Sequence, residues 1–219
     1  MLVHGLSASM LWWRRNIAAF ARQYRVYLLD LPGFGSMRRF YYRFVLDDMA
    51  DWLLAWMGAM GISRASLIGH SMGGYICLHA AARQPEKVRR LVLVAPAGVP
   101  HKRTIFGYVF PLTLAIHYAA PTFLPILFYD AIRTGPLTFF SATQNLLHKD
   151  LRDTLKSVTV PTLLIWGVND TLVPASYATL FHQEIANSRL LLLKKAGHVA
   201  MYDAAREFNE AVLAFLNEM

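Results

Sequence analysis

The 219-residue sequence has little charge: Asp, Glu, Lys and Arg make up 16% of it, against 55% hydrophobic residues. Disorder needs the reverse balance, so the chain is expected to fold around a core. It has one cysteine, Cys77. A single thiol builds neither a disulfide framework nor a structural zinc site, and it fits a reducing compartment. No His-x-His or His-Glu-x-x-His spacing occurs, so no metal is expected. The N-terminus, Met1-Leu2-Val3-His4-Gly5, lacks a basic stretch ahead of an apolar one. The expectation is an unsecreted, cytoplasmic protein. Glycine and proline are scattered, and no repeat or low-complexity segment is visible.

Acidic residues are scarce in the first half. Residues 1–110 hold 14 basic and 5 acidic side chains, and the whole chain is +8. The basic residues are dispersed among apolar segments. No aromatic-interleaved Arg/Lys run occurs, so nucleic acid is not an expected partner. Residues 104–129 contain no charged side chain. That length matches a bilayer span, but Pro111, Pro121 and Pro125 break the required helix. The expectation is an apolar insertion packed on the core, with contact to a lipid surface left open.

What is present is an alternation of strands and helices. Apolar runs bounded by turn residues fall at Arg25–Asp30, Ala65–Gly69, Leu91–Ala95, Pro161–Trp166 and Leu190–Leu193, with a stub at Met1–Val3. Their two-sided apolar character suits buried parallel strands. Amphipathic helical patterns fill residues 45–60 and 201–216, and a helix of small residues runs from 72 to Pro85. This order predicts an α/β fold with right-handed crossovers. Residues 98–156 interrupt it. They are too long for a connection and read as a mainly helical cap between two core segments, 1–97 and 157–219.

Gly69-His70-Ser71-Met72-Gly73 follows one strand and opens one helix. A sharp strand-to-helix turn exposes a serine hydroxyl, and glycine is needed where strand and helix nearly touch. The helix start puts the Met72 N–H where negative charge would develop. A serine needs a base, and the base an orienting acid. Asp170 follows the strand Pro161–Trp166, and His198 follows the strand Leu190–Leu193. Both fall beyond the carboxyl ends of strands, where open α/β sheets bind ligands. Taken singly, Asp170 reads equally as a turn residue and His198 as a helix-start residue. Jointly, the order Ser71, Asp170, His198 points to a catalytic triad. Among the other polar residues, His4, His70 and Asp30 read as loop-shaping. Asp203 reads as serving the next helix, and Cys77 as buried.

These pieces resemble the α/β-hydrolase superfamily: His4-Gly5, Asp30-Leu31-Pro32-Gly33-Phe34-Gly35, Gly69-His70-Ser71-Met72-Gly73-Gly74, Gly167-Val168-Asn169-Asp170 and Gly197-His198. The resemblance looks closest to the lid-bearing, esterase- and lipase-like branch. It implies a Ser71–His198–Asp170 triad, with Gly5, Gly69 and Gly73 as loop and elbow glycines. It also implies an oxyanion hole from the Leu6 and Met72 N–H groups, and no cofactor. Family members carry two further strands ahead of the His-Gly strand. Without them, about six parallel strands are expected, with Arg25–Asp30 at an edge open to a second copy.

The expected activity is cleavage of small-molecule carboxylic esters with apolar, short-to-medium chains. The pocket is expected around Phe106, Phe110, Leu114, Phe123 and Leu124, residues that cap packing explains equally well. Arg38, Arg39, Arg43, Lys102 and Arg103 read as a solvated surface or as a basic rim. Dehalogenases and epoxide hydrolases of the fold carry Asp at the elbow, where this chain has Ser71. Carbon–carbon bond hydrolases share the Ser elbow and remain the alternative, beside a non-catalytic ligand-binding member.

Overall fold

A computed structural model describes residues 1–38, 45–100, 107 and 109–218. Six parallel strands form one sheet: β1 (Leu2–Val3), β2 (Leu28–Leu29), β3 (Ala65–His70), β4 (Val88–Val94), β5 (Thr162–Gly167) and β6 (Ser188–Leu193). Their spatial order is β2-β1-β3-β4-β5-β6. The central strands are apolar at successive positions because both faces are covered. Leu91, Leu93, Leu164 and Trp166 pack on one face with Leu53, Met57, Ile76 and Phe181. Val92, Val94, Leu163 and Ile165 pack on the other with Phe20, Phe208 and Val212. Period-two alternation thus feeds two cores from one run of residues.

The first face is covered by α2 (Met49–Ala59), α3 (Met72–Arg83) and α7 (Ser176–Glu184). The second is covered by α1 (Ile17–Ala21), α8 (Ala200–Asp203) and α9 (Ala205–Asn217). Between β4 and β5 lie α4 (Val109–Tyr118), α5 (Leu124–Leu147) and α6 (Arg152–Leu155). Gly135 (φ 71°, ψ 160°) interrupts α5 ahead of Pro136.

Three expected elements differ. The strand Arg25–Asp30 is reduced to Leu28–Leu29, because its partner β1 offers only Leu2 and Val3 for pairing. It does lie at a sheet edge, and so short an edge offers little to a second copy. β4 starts at Val88, three residues earlier than its apolar run suggests, since Arg90 is buried with its guanidinium over Phe215. The helix expected over 201–216 is two helices, α8 and α9, divided at Ala204 (φ −115°, ψ 47°).

The chain leaves β1 for β2 on one side and returns to β3 on the other. The direction of sheet growth therefore reverses between β1 and β3, which is where α/β sheets open a ligand crevice. The loop carrying Gly5 and Leu6 leaves β1, and Ser71 leaves β3. The loops after β5 and β6 touch each other: a Cβ on Gly167 would stand 2.1 Å from the Gly197 carbonyl oxygen and 2.4 Å from that of Ala196. Gly167→Ala is therefore expected to lower stability by about 3 kcal/mol, through forced separation of the two loops. Urea unfolding measures this, and an unchanged midpoint would mean that the loops part without cost.

Candidate active site

Ser71 lies between β3 and α3 with φ 50° and ψ −116°, a backbone that L-residues rarely adopt. Hydrogen bonds hold it there. The Ser71 N–H donates to Val94 O at 2.9 Å, and Ser71 O accepts from the Tyr75 and Ala97 N–H groups at 3.1 Å. A Cβ on Gly69 would come within 2.4 Å of Gly73 O, and one on Gly73 within 2.4 Å of Val3 O. Both glycines are therefore demanded by close backbone approach. The first sets strand against helix, and the second sets helix against β1.

Asp170 is buried. Its Oδ1 accepts from the Leu172 and Val173 N–H groups, each at 2.9 Å, which closes the turn after β5. Its Oδ2 is left for His198 Nδ1, at 2.8 Å. A carboxylate oxygen accepts, so Nδ1 carries the proton and Nε2 keeps its lone pair. Asp170 thus closes the turn with one carboxylate oxygen and orients the His198 ring with the other.

The loop after β1 is fixed by His4. Its Nε2 accepts from the Leu31 N–H at 3.0 Å, so its Nδ1 is the donor to Gly5 O at 2.8 Å. Gly5 lies against the elbow: a Cβ there would be 2.9 Å from His70 Nδ1 and 3.1 Å from Ser71 Cβ. Neither the Leu6 nor the Met72 N–H has an acceptor among the described residues, and Met72 is fully buried. Buried N–H groups are almost always paired, so the buried Met72 N–H, next to the strained Ser71, is an unusual free donor, and the half-buried Leu6 N–H is a second donor without an acceptor among the described residues.

Three polar residues matter more than their sequence context suggested. His70 Nε2 donates to His198 O at 3.0 Å, and the two rings lie 4.8 Å apart. Burial, then the neighbouring His198, hold the His70 pKa well below the ordinary imidazole value. His70 thus ties the serine turn to the histidine loop as a neutral donor. Asp203 serves more than the next helix: its Oδ2 accepts from the Gly197 N–H at 3.1 Å and its Oδ1 from the Ala120 N–H at 3.0 Å. It joins the histidine loop to the insertion. Asp130, on α5, accepts at Oδ2 from Ser9 Oγ (2.8 Å) and Trp12 Nε1 (3.0 Å). Burial pushes the pKa of both carboxyls up. Asp130 was visible as the only acidic residue between Glu86 and Asp150.

The expected pocket residues separate. Phe123 is buried in the second core, edge-on to Trp12 at 4.8 Å and against Tyr202, so it is a packing residue. Phe110 faces outward and is exposed, while Leu114 and Leu124 are half-buried. Phe106 lies outside the described residues, as do Arg39, Arg43, Lys102 and Arg103, and Arg38 is exposed. Cys77 is buried, with its thiol pushed up to about 12 by that burial, which makes it unreactive. Among the described residues no group of His, Cys, Asp and Glu could hold a metal ion.

A parallel sheet with a serine turn after β3, an acid after β5 and a histidine after β6 defines a hydrolase-type α/β fold. The comparisons agree. A family model described as alpha/beta hydrolase fold matches residues 1–123, and one described as TAP-like protein matches residues 142–218. The chain belongs to the alpha/beta hydrolase fold family. It is 31% identical to the dihydrolipoyllysine-residue acetyltransferase component of an acetoin cleaving system from Pseudomonas putida, over all of this chain and 63% of that protein. The chain thus spans less than two thirds of that relative. It is 30% identical to a 2-hydroxy-6-oxononadienedioate/2-hydroxy-6-oxononatrienedioate hydrolase from Burkholderia vietnamiensis, over 99% of this chain and 86% of that one. Among solved structures, a meta-cleavage product hydrolase from Pseudomonas fluorescens superposes with a TM-score of 0.79 at 25% identity, covering 99% of this chain and 89% of that one.

His4 and His70 are both buried and kept neutral chiefly by that burial. Both rings take up a proton less readily in the folded chain than in the unfolded one, so below about pH 6.5 stability falls as pH falls. The expected slope is up to about 1.4 kcal/mol per pH unit for each ring. His70→Gln keeps a donor for the His198 carbonyl and removes one titration, so it should flatten the slope. Urea midpoints between about pH 8 and about pH 5 measure it, and an unaltered slope would show that His70 titrates normally in the fold.

Proposed function

We propose that the chain is a serine hydrolase that cleaves carboxylic esters with apolar, short-to-medium chains through an acyl-enzyme on Ser71. The observation that carries this is the Asp170–His198 hydrogen bond of 2.8 Å, set in loops that are tied to the strained Ser71 turn. Ser71 Oγ attacks the ester carbonyl carbon and its proton passes to His198 Nε2. Asp170 holds the Nδ1 proton and stabilises the imidazolium that results. The carbonyl oxygen, now negative, takes hydrogen bonds from the Leu6 and Met72 N–H groups. One such donor lowers the barrier by about 3 kcal/mol. The carbon–oxygen bond to the alcohol breaks as His198 returns the proton to it. Water then repeats the sequence on the acyl-enzyme, releasing the acid and free Ser71. No cofactor enters these steps.

Residues 98–156 act as a cap over this site in the proposal. They are anchored to it by Asp203, which reaches Ala120, and by Thr171 Oγ1, which donates to Pro111 O at 2.7 Å beside Asp170. The half-buried Leu114 and Leu124 supply apolar surface for the acyl or alcohol group. A second reading, hydrolysis of a carbon–carbon bond next to a ketone, is favoured by the likeness to the 2-hydroxy-6-oxononadienedioate hydrolase. It uses the same Ser71, His198 and Asp170.

Hydrolysis of p-nitrophenyl esters from acetate to palmitate tests the proposal. Ser71→Ala is expected to lower kcat about 10⁴-fold or more, and Asp170→Asn about 10³- to 10⁴-fold through the wrong imidazole tautomer. Ester turnover that survives in Ser71→Ala would overturn the reading. Cleavage of a dienoic keto acid with no ester turnover would install the second reading.

A further inference from the structure

The buried side of α5 carries two polar residues, Asp130 and Thr134, beside Ile126 and Ala142, while much of its exposed side is apolar. Facing the core, four residues apart, are Ile126, Asp130 and Thr134, all buried. Asp130 is held by Ser9 and Trp12, and Thr134 Oγ1 bonds to Asp130 O and accepts from Ser7 Oγ. The outward side carries Phe128, Tyr129 and Ile132, then Leu137 and Phe140 beyond the Gly135 break. Ile132 is 81% exposed and Leu137 76%. On α4, Phe110 is 70% exposed. A helix of a water-surrounded domain has the opposite arrangement, with its apolar stripe on the core. Of the 13 exposed large hydrophobic side chains among the described residues, eight lie in this one insertion, the kind of concentration that marks a contact surface.

Charge decides what covers it. From residue 107 to residue 148 the only charged side chains are Asp130 and Arg133. Asp130 is buried, so the outward face presents no carboxylate, and Arg133 donates to Gly35 O and Tyr129 Oη. The chain as a whole is +8. A second copy would bring the same positive charge to the contact, whereas an anionic lipid surface is attracted by it. No single helix is long and apolar enough among the described residues to cross a membrane, and α4 and the segment Pro121–Leu147 are bent by 110° from one another. That geometry suits helices lying in the headgroup–acyl boundary.

We propose that the outer face of α4 and α5 docks on an anionic lipid surface, with Phe110, Phe128, Ile132, Leu137 and Phe140 entering the acyl boundary. The inference rests on exposure and charge alone and is independent of the reaction that Ser71 performs.

The test is flotation of the full chain with vesicles of phosphatidylcholine alone or mixed with phosphatidylglycerol. The chain is expected to float with the mixed vesicles, and less so as salt is raised. Ile132→Asp and Leu137→Asp, both at exposed positions that the fold does not use, are each expected to weaken partition about tenfold or more. Turnover of a short water-soluble ester should be unchanged in both variants. That separates failure of docking from failure of the esterase reading. Absence of flotation with either vesicle would overturn the proposal, as would Asp variants that float like the parent. Equal, salt-insensitive binding to phosphatidylcholine alone would overturn its anionic part. A dimer by light scattering that Ile132→Asp dissociates, with vesicles ignored, would assign the face to a second copy.

Discussion

Ser71 is held in a backbone conformation that its own residue type disfavours, and the surrounding structure is organised to hold it. The φ of 50° survives because the turn is bonded on both flanks, to Val94 in β4 and through Ser71 O to Tyr75 and Ala97. A residue in this region costs roughly 1–3 kcal/mol, so neighbouring packing must over-determine it. Gly69 and Gly73 permit that packing by bringing α3 against β3 and β1 to distances no side chain tolerates. The parallel order of the sheet then does the rest. It places the loop after β1 beside the turn and the loops after β5 and β6 on the same side.

This dependence explains which parts of the molecule were legible in the residues alone. Ser71, Asp170 and His198 could be placed beyond strand ends because each follows an apolar run within a few residues, and strand ends are fixed by the runs themselves. The six strands, their parallel order and the helical insertion were legible for the same reason. The length of β2 was not, because a strand is only as long as its partner, and β1 pairs through Leu2 and Val3 alone. Nor was the early start of β4, where Arg90 is kept in the strand by stacking on Phe215 from the far end of the chain. Tertiary contact overrode composition in both places.

The polar residues around the site were hidden for a different reason. His70, Asp130 and Asp203 act through partners 128, 121 and 83 residues away, and no local pattern encodes such a pairing. Their residue types even misdirect: a carboxylate five residues after His198 fits a helix start, and only the fold shows it bridging Gly197 to Ala120. The pocket prediction failed at Phe123 because aromatic side chains suit a substrate cavity and a core equally, and only contact with Trp12 and Tyr202 distinguishes them.

The insertion is bound by polar links to each of the segments that follow β1, β5 and β6. Asp130 holds Ser9 and Trp12 beyond the Leu6 loop, Pro111 O takes the Thr171 hydroxyl beside Asp170, and Asp203 ties Ala120 to Gly197 beside His198. Two of these links use carboxylates whose charged form is disfavoured by burial, so each link holds only while its hydrogen bonds offset that cost. A displacement of α4 or α5 would strand a buried carboxylate or unpin one of these loops, so the placement of the insertion and that of the three loops are tied by the same hydrogen bonds.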